Sequence, residues 1–206
     1  STLRTPALDP PMTEAPRVLS SAATARSGSF NKKVAESGAR IAEANGIHST
    51  IADHGDYPMP LYDGDHEKDE GGPENAKKLK ALFSLHNGVL ISCPEYNASI
   101  TPLLKNALDW VSRVRDEDEA PLEVYRTRVF ALAGASPGGM GGLRGLFAVR
   151  HVLTHGLGAL VLPEQFAVPR AAQAFEENGH LKDVAAQVRY KDLIEKLARA
   201  ARVLHG

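Results

Sequence analysis

Three short stretches, "GVLISC" at 88–93, "RVFALAGA" at 128–135 and "GALVL" at 158–162, are apolar almost without interruption. A strand with one wet face alternates apolar and polar residues. A strand without that alternation is covered on both faces, as in a parallel sheet with helices above and below. The three runs are therefore expected at the centre of such a sheet. "RVLSSA" (17–22) makes a further strand, weakened by Ser20 and Ser21, and in "IHSTIAD" (47–53) Ile47, Ser49 and Ile51 alternate as on a half-exposed edge.

Helical patterns fill the intervals. In 29–45, Phe30, Val34 and Ile41 recur at helical spacing before the stop signal Asn45-Gly46, and in 73–86 Pro73 suits a first helical position ahead of Leu79, Leu82 and Phe83. Leu104, Ala107, Leu108, Val111 and Val114 make a stripe in 100–114. Helices at about 142–156 and 181–204 complete the set, the last with Val184, Val188, Ile194, Leu197, Ala201 and Leu204 on one face. The order βαβαβαβαβα, with spacers long enough for right-handed crossovers, predicts an α/β fold. The expected form is flavodoxin-like: a doubly wound five-stranded parallel sheet in the order 2-1-3-4-5, with helices on both faces, over 17–206. Such sheets bind ligands at the carboxyl ends of their strands, around the point where strand order reverses. The loops after strands one, three and four are the ones to inspect.

The remaining bounds are mostly exclusions. With 206 residues and 43% hydrophobic composition the chain suits one domain, and its net charge of −1 gives no reason to expect nucleic acid or an anionic membrane as partner. The single cysteine, Cys93, cannot form an internal disulfide, and no apolar run approaches a bilayer's thickness, which fits a soluble, cytoplasmic protein. Residues 1–16, with Pro6, Pro10, Pro11 and Pro16 and no apolar centre of a signal peptide, are expected to form a disordered or extended arm.

Loop one, "ATARSGSFNKK" (23–33), offers Thr24, Ser27, Ser29 and Asn31 as hydrogen-bonding groups, with Arg26 beside the start of a helix. Free N–H groups at a helix start and an arginine fork suit a terminal phosphate; the competing reading is that Ser and Asn merely cap the helix while Arg26 sits in solvent. In loop two, Pro94 to Asn97 within "CPEYNASITPLLKNALDW" (93–110), Pro94 stops strand pairing and leaves backbone groups free for the edge of a flat heterocycle, with Tyr96 as a stacking face or rim contact. Its competing reading is an ordinary loop with Glu95 solvated and Tyr96 on a neighbouring subunit. Loop three, "GASPGGMGGLRG" (134–145), is glycine-rich enough to approach a planar ligand closely, but it contains neither a Walker signature nor a complete G-x-G-x-x-G, since Arg144 holds the last place.

Rival chemistries carry local objections. Gly134-Ala135-Ser136-Pro137-Gly138 matches the G-x-S-x-G of a serine hydrolase, yet the residue after the serine must give an oxyanion N–H and Pro137 has none. His151 and His155 are spaced as in H-E-x-x-H, but Val152 replaces the glutamate, so no metal is expected there. "DGDHEKDEGG" (63–72) has Lys68 where a calcium loop needs glycine and is read as a solvated loop. Cys93, at the end of an apolar strand, is read as a packing thiol.

Taken together, "RSGSFNKK", "PEYNASITPLLKNALDW" and "SPGGMGGLR" resemble the NADPH-dependent FMN reductase family, the flavodoxin-like quinone, chromate and azo-dye reductases. The resemblance runs from about residue 17 to 200. It implies a non-covalent FMN, with NADPH or NADH as reductant and a small-molecule electron acceptor. The phosphate would be held by Thr24, Arg26, Ser29, Phe30 and Asn31, and the ring edge by Pro94, Glu95, Tyr96 and Asn97. Ser136, Gly138 and Gly139 would wall the far side of the ring. The resemblance also implies a homodimer or homotetramer, with Asn106, Asp109 and Trp110 near the interface. The family's first loop usually begins Gly-Ser-Leu-Arg; here Ala23-Thr24-Ala25-Arg26 stands instead, and Ala23 adopts a positive φ less readily than glycine, which predicts a weaker hold on FMN. The alternative of a different class is a flavodoxin-type electron carrier or a non-catalytic flavin-binding protein, and near-neutral charge speaks mildly against the carrier.

Overall fold

The computed structural model describes residues 16–205. Five strands, β1 (Arg17–Ala22), β2 (His48–Asp53), β3 (Gly88–Ser92), β4 (Val129–Ala135) and β5 (Leu160–Val168), form one sheet in the order β2-β1-β3-β4-β5, with every neighbouring pair parallel. The expected order of strands is found. The helices are α1 (Phe30–Ala44), α2 (Gly64–Glu70), α3 (Glu74–Ser84), α4 (Pro102–Arg113), α5 (Glu123–Arg126), α6 (Leu143–His151), α7 (Ala171–Ala174) and α8 (Val184–His205). A π-helical turn, Val152–Gly156, extends α6.

Successive residues of the central strands feed opposite cores, which is why their sequences do not alternate. From β3, Val89 and Ile91 pack with Leu79 and Phe83 of α3 and Leu104, Leu108 and Val111 of α4. Leu90 points the other way, to Val34 of α1 and Leu193, Ile194 and Leu197 of α8. Each such side chain, removed from water on both sides of the sheet, contributes on the order of 1.5–3 kcal/mol.

Several sequence expectations need correction. The 158–162 run is not central: β5 is an edge strand, Leu160 is half exposed, and the strand runs on to Val168. The extension was hidden because pairing slips between Val161, opposite Phe130, and Gln165, opposite Leu132, and Pro163 sits in that bulge, where a missing N–H costs no ladder bond. Val184, Val188 and Leu204 are exposed rather than part of the core stripe of α8, which is carried by Tyr190, Leu193, Ile194, Leu197, Ala198 and Ala201. The acidic stretch 63–72 is largely helix α2, because the Asp63 carboxylate accepts from Asp65 N at 2.8 Å and caps it, while Glu67 receives Tyr62 and Arg113. Pro73 stands at the cap of α3, one place before the first helical position. The expected arm, apart from Pro16, lies outside the described residues.

Candidate active site

At the end of β1 the chain passes over the sheet, with Ala23 N donating to Ser92 O at 2.8 Å, and reaches α1 at Phe30. Among the described residues, no protein acceptor meets the backbone N–H groups of residues 24 to 29. Ser29 has extended backbone and caps α1, its Oγ accepting from Asn31 N at 3.3 Å, and Ser29 and Thr24 are both buried. The one left-handed residue in this loop is Gly28, at φ +67°, and not Ala23. The anticipated penalty for alanine in place of glycine at 23 therefore does not arise: that residue is buried in unstrained backbone. Arg26 is exposed, its guanidinium 6.0 Å from the centre of the Phe30 ring, and Phe30 in turn stacks on Phe175.

Beneath loop one lies a contact not anticipated from the sequence. Ser21 Oγ lies 2.6 Å from Nε2 of His54, a fully buried histidine whose pKa is lowered to about 4 by burial, against a smaller opposing effect of Asp53. The two serines that looked like a defect in β1 are buried, and Ser21 has a dedicated partner. Lys32 of α1 forms an ion pair with Asp53, tying the first turn of the helix to the end of β2.

Loop two leaves β3 through Cys93, which is buried, with its thiol pushed up to about 11 mainly by desolvation, as expected of a packing residue. Tyr96 and Ser99 then exchange backbone hydrogen bonds at 3.1 and 3.0 Å around Asn97 and Ala98, whose φ angles are +51° and +63°. Two consecutive left-handed residues make the tight turn of a hairpin, and Ala98 is there at a cost of about 1 kcal/mol. Tyr96 is half exposed. The loop is fastened to its neighbours at both ends. Thr101 Oγ1 donates to Ala23 O at 3.2 Å, and the Glu95 carboxylate receives Arg144 Nε at 2.8 Å, Arg144 N at 3.1 Å and Gly145 N at 3.3 Å. Burial pushes the Glu95 carboxyl upward, but these donors outweigh it and hold it below the usual range. Glu95 is thus a clamp between loops two and three rather than a solvated carboxylate.

Loop three is pinned from below: Ser136 N donates to Val168 O at 3.2 Å, and Arg170 N donates to Gly138 O at 3.0 Å. Its tip, 137 to 140, is exposed. At Gly141, φ +63°, a Cβ would lie 2.7 Å from backbone atoms of Val168 and Pro169, so only glycine fits. Asn31 joins all three segments from beneath. Its Nδ2 donates to Ala135 O at 2.9 Å, while its Oδ1 accepts from Ala135 N at 3.0 Å and from Ser92 Oγ at 3.1 Å. Three of the four hydrogen-bonding positions of the Asn31 amide are taken by protein, which braces the rim and leaves one Nδ2 hydrogen over.

The chain's sequence matches the model of the NADPH-dependent FMN reductase family over residues 16–173. The chain belongs to that family. It is 32% identical over 193 residues to a probable NADPH:quinone oxidoreductase 2 of Oryza sativa subsp. japonica, covering 92% of this chain and 91% of the relative. To a quinone reductase of Escherichia coli K12 it is 36% identical over 155 residues, covering 73% and 76% of the two chains. Among solved structures it is similar to the flavoenzyme NAD(P)H:(acceptor) oxidoreductase of Paracoccus denitrificans, with a TM-score of 0.70, 26% identity, and coverage of 89% and 99%.

As a member of this family the chain is an oxidoreductase that uses FMN and NAD(P)H. The residues present fit the cofactor. Among the described residues, the N–H groups of 24 to 29 without protein acceptors and the start of α1 are donors of the kind that a phosphate requires. Among the described residues the N–H groups of Glu95, Asn97, Gly138 and Gly139 are also without protein acceptors, at the edge where a flat ring would lie. Among the described residues no histidine or carboxylate is hydrogen-bonded to Ser136 Oγ, whereas the buried histidines His54 and His86 bond Ser21, Thr50 and Leu82. His151 and His155 lie together on the surface, ring centres 5.0 Å apart, and no group of three or more metal-ligating side chains occurs among the described residues. Sequence reasoning missed Thr101, His54, Phe175 and the role of Arg144. Of these, only Arg144 carried a signal, as the residue that breaks the glycine pattern of loop three.

Proposed function

We propose that this reductase transfers hydride from NAD(P)H to FMN and then reduces a quinone, a free flavin, an azo compound or a metal oxyanion by a ping-pong cycle. The observation that carries this reading is the convergence of three sequence-distant loops on one rim, with their backbone donors unspent and with Asn31, Thr101 and Glu95 holding them in register. Thr24, Ser29 and the N–H groups of 24 to 29 would hold the phosphate, with Arg26 closing over it and Phe30 supporting Arg26. Pro94, Glu95, Tyr96 and Asn97 would present the backbone of loop two to the ring edge, and Ser136, Gly138 and Gly139 would wall the far side.

When bound, FMN supplies the two-electron chemistry. The chain's own residues bind, orient and leave one face open; none needs to act as acid or base, and Glu95 is committed to Arg144. An open face that receives first the reductant and then the acceptor is what a ping-pong cycle requires. We read the chain as cytoplasmic and as a homodimer or homotetramer, with Tyr96 and the outer face of α4 toward a second copy. Among the described residues no helix is long and apolar enough to cross a membrane.

The test is to follow NADPH absorbance with purified protein, FMN and a quinone. Steady oxidation with parallel initial-rate lines at varied NADPH and quinone is expected. Stoichiometric oxidation that stops after one equivalent would instead indicate an electron carrier, and none at all would reject the reductase reading.

A further inference from the structure

Beyond the cofactor rim, β5, α7 and the start of α8 border an open cavity of about 270 Å³. Its walls are apolar, built by Phe166, Ala174, Leu181 and Ala186, and its polar lining is one-sided: Arg170, Lys182 and Arg189 face a single carboxylate, Asp183. That carboxylate is already engaged, accepting from Ala185 N at 2.8 Å as a cap of α8, with Arg189 3.9 Å away. Among the described residues, no hydrogen bond or ion pair engages the guanidinium of Arg170 or the ammonium of Lys182. In a chain whose net charge is −1, three cations against one acid is a local choice of sign.

The backbone keeps Arg170 at this place despite strain. It is left-handed at φ +49°, held there by its N–H to Gly138 O at 3.0 Å and by Gln173 N to its own carbonyl at 2.9 Å. The same bond to Gly138 makes the cavity the neighbour of loop three.

From this geometry, and resting on the reductase reading, we infer that the cavity holds the 2′-phosphorylated adenosine end of NADPH. The purine lies on the apolar wall, with Gln173 at its edge, and the 2′-phosphate lies between Arg170, Lys182 and Arg189. The planar guanidinium fork suits a phosphate, and an adenosine without the 2′-phosphate leaves Arg170 and Lys182 without an anion, Arg189 having only the Asp183 carboxylate at 3.9 Å. The site therefore selects NADPH over NADH through the far end of the dinucleotide, away from the reacting ring.

The test uses two ligand fragments and the intact protein. By calorimetry, 2′,5′-ADP binds at least tenfold more tightly than 5′-AMP. Arg170→Ala and Arg189→Ala each weaken 2′,5′-ADP roughly tenfold while leaving 5′-AMP unchanged. In steady state the same variants raise KM for NADPH with kcat and the NADH kinetics unaltered. Both side chains are exposed, and an unchanged thermal midpoint confirms that the variants fold. Equal affinity for the two fragments, or variants that bind 2′,5′-ADP as the parent does, overturns the inference. Should no NADPH be oxidised with FMN while the fragment selectivity persists, the nucleotide site stands and the reductase reading falls.

Discussion

Replacing Asn31 by alanine probes the part of the fold on which the site depends. Three hydrogen bonds end on this one buried amide, two with Ala135 and one with Ser92, and together they continue the sheet across a gap that no strand fills. At about 1 kcal/mol net for each bond the loss is about 3 kcal/mol, and more if the Ala135 groups stay dry. In urea, with a slope of about 2–3 kcal/mol/M for a chain of this size, the midpoint should fall by roughly 1 M with the slope unchanged. The assay is built in, because the chain's single tryptophan, Trp110, is fully buried and its emission follows unfolding. Asn31→Asp keeps the acceptor oxygens but loses the donor to Ala135 O and buries a charge, so it should fare no better. A midpoint within about 0.2 M of the parent for Asn31→Ala would refute the claim that this residue braces the rim.

Further outcomes follow from other contacts. His54 has its pKa lowered to about 4 by burial, so below the unfolded value of 6.5 the unfolded chain takes up a proton that the native chain refuses. Stability should therefore fall by about 3 kcal/mol between pH 6.5 and pH 4, and urea midpoints measured across that range should show a shallower decline in His54→Gln. Ala98→Gly relieves a left-handed alanine and should raise the thermal midpoint, by the equivalent of about 1 kcal/mol, in a calorimetric scan. Gly141→Ala forces a Cβ against the backbone of Val168 and Pro169 and should lower both the thermal midpoint and the FMN affinity.

The fold could be read from the chain because a strand covered on both faces leaves a mark that few other elements leave: "GVLISC" sends alternate residues into two cores, and its sequence records both. Where the mark was absent, reading failed. Strand β5 continues past a bulge with a proline in it, and α2 is an almost wholly polar helix whose stability comes from Asp63, Tyr62 and Arg113 rather than from an apolar stripe. The rim was legible at the level of loops and less so at the level of atoms. Neither the bracing bonds of Asn31 to Ala135 and Ser92 nor the clamp of Glu95 on Arg144 could be read from the sequence, since each joins residues about 50 or more places apart. His54 is far from Ser21 in sequence, and no periodicity connects them.

The most direct test is a crystal structure of the protein with FMN, paired with a fluorescence titration in solution. The phosphate should lie on the N–H groups of residues 24 to 29, with the ring between the 94–97 and 136–139 segments, and one equivalent should quench flavin emission. A rim closed by side chains, or flavin bound elsewhere on the molecule, would contradict the account at its centre.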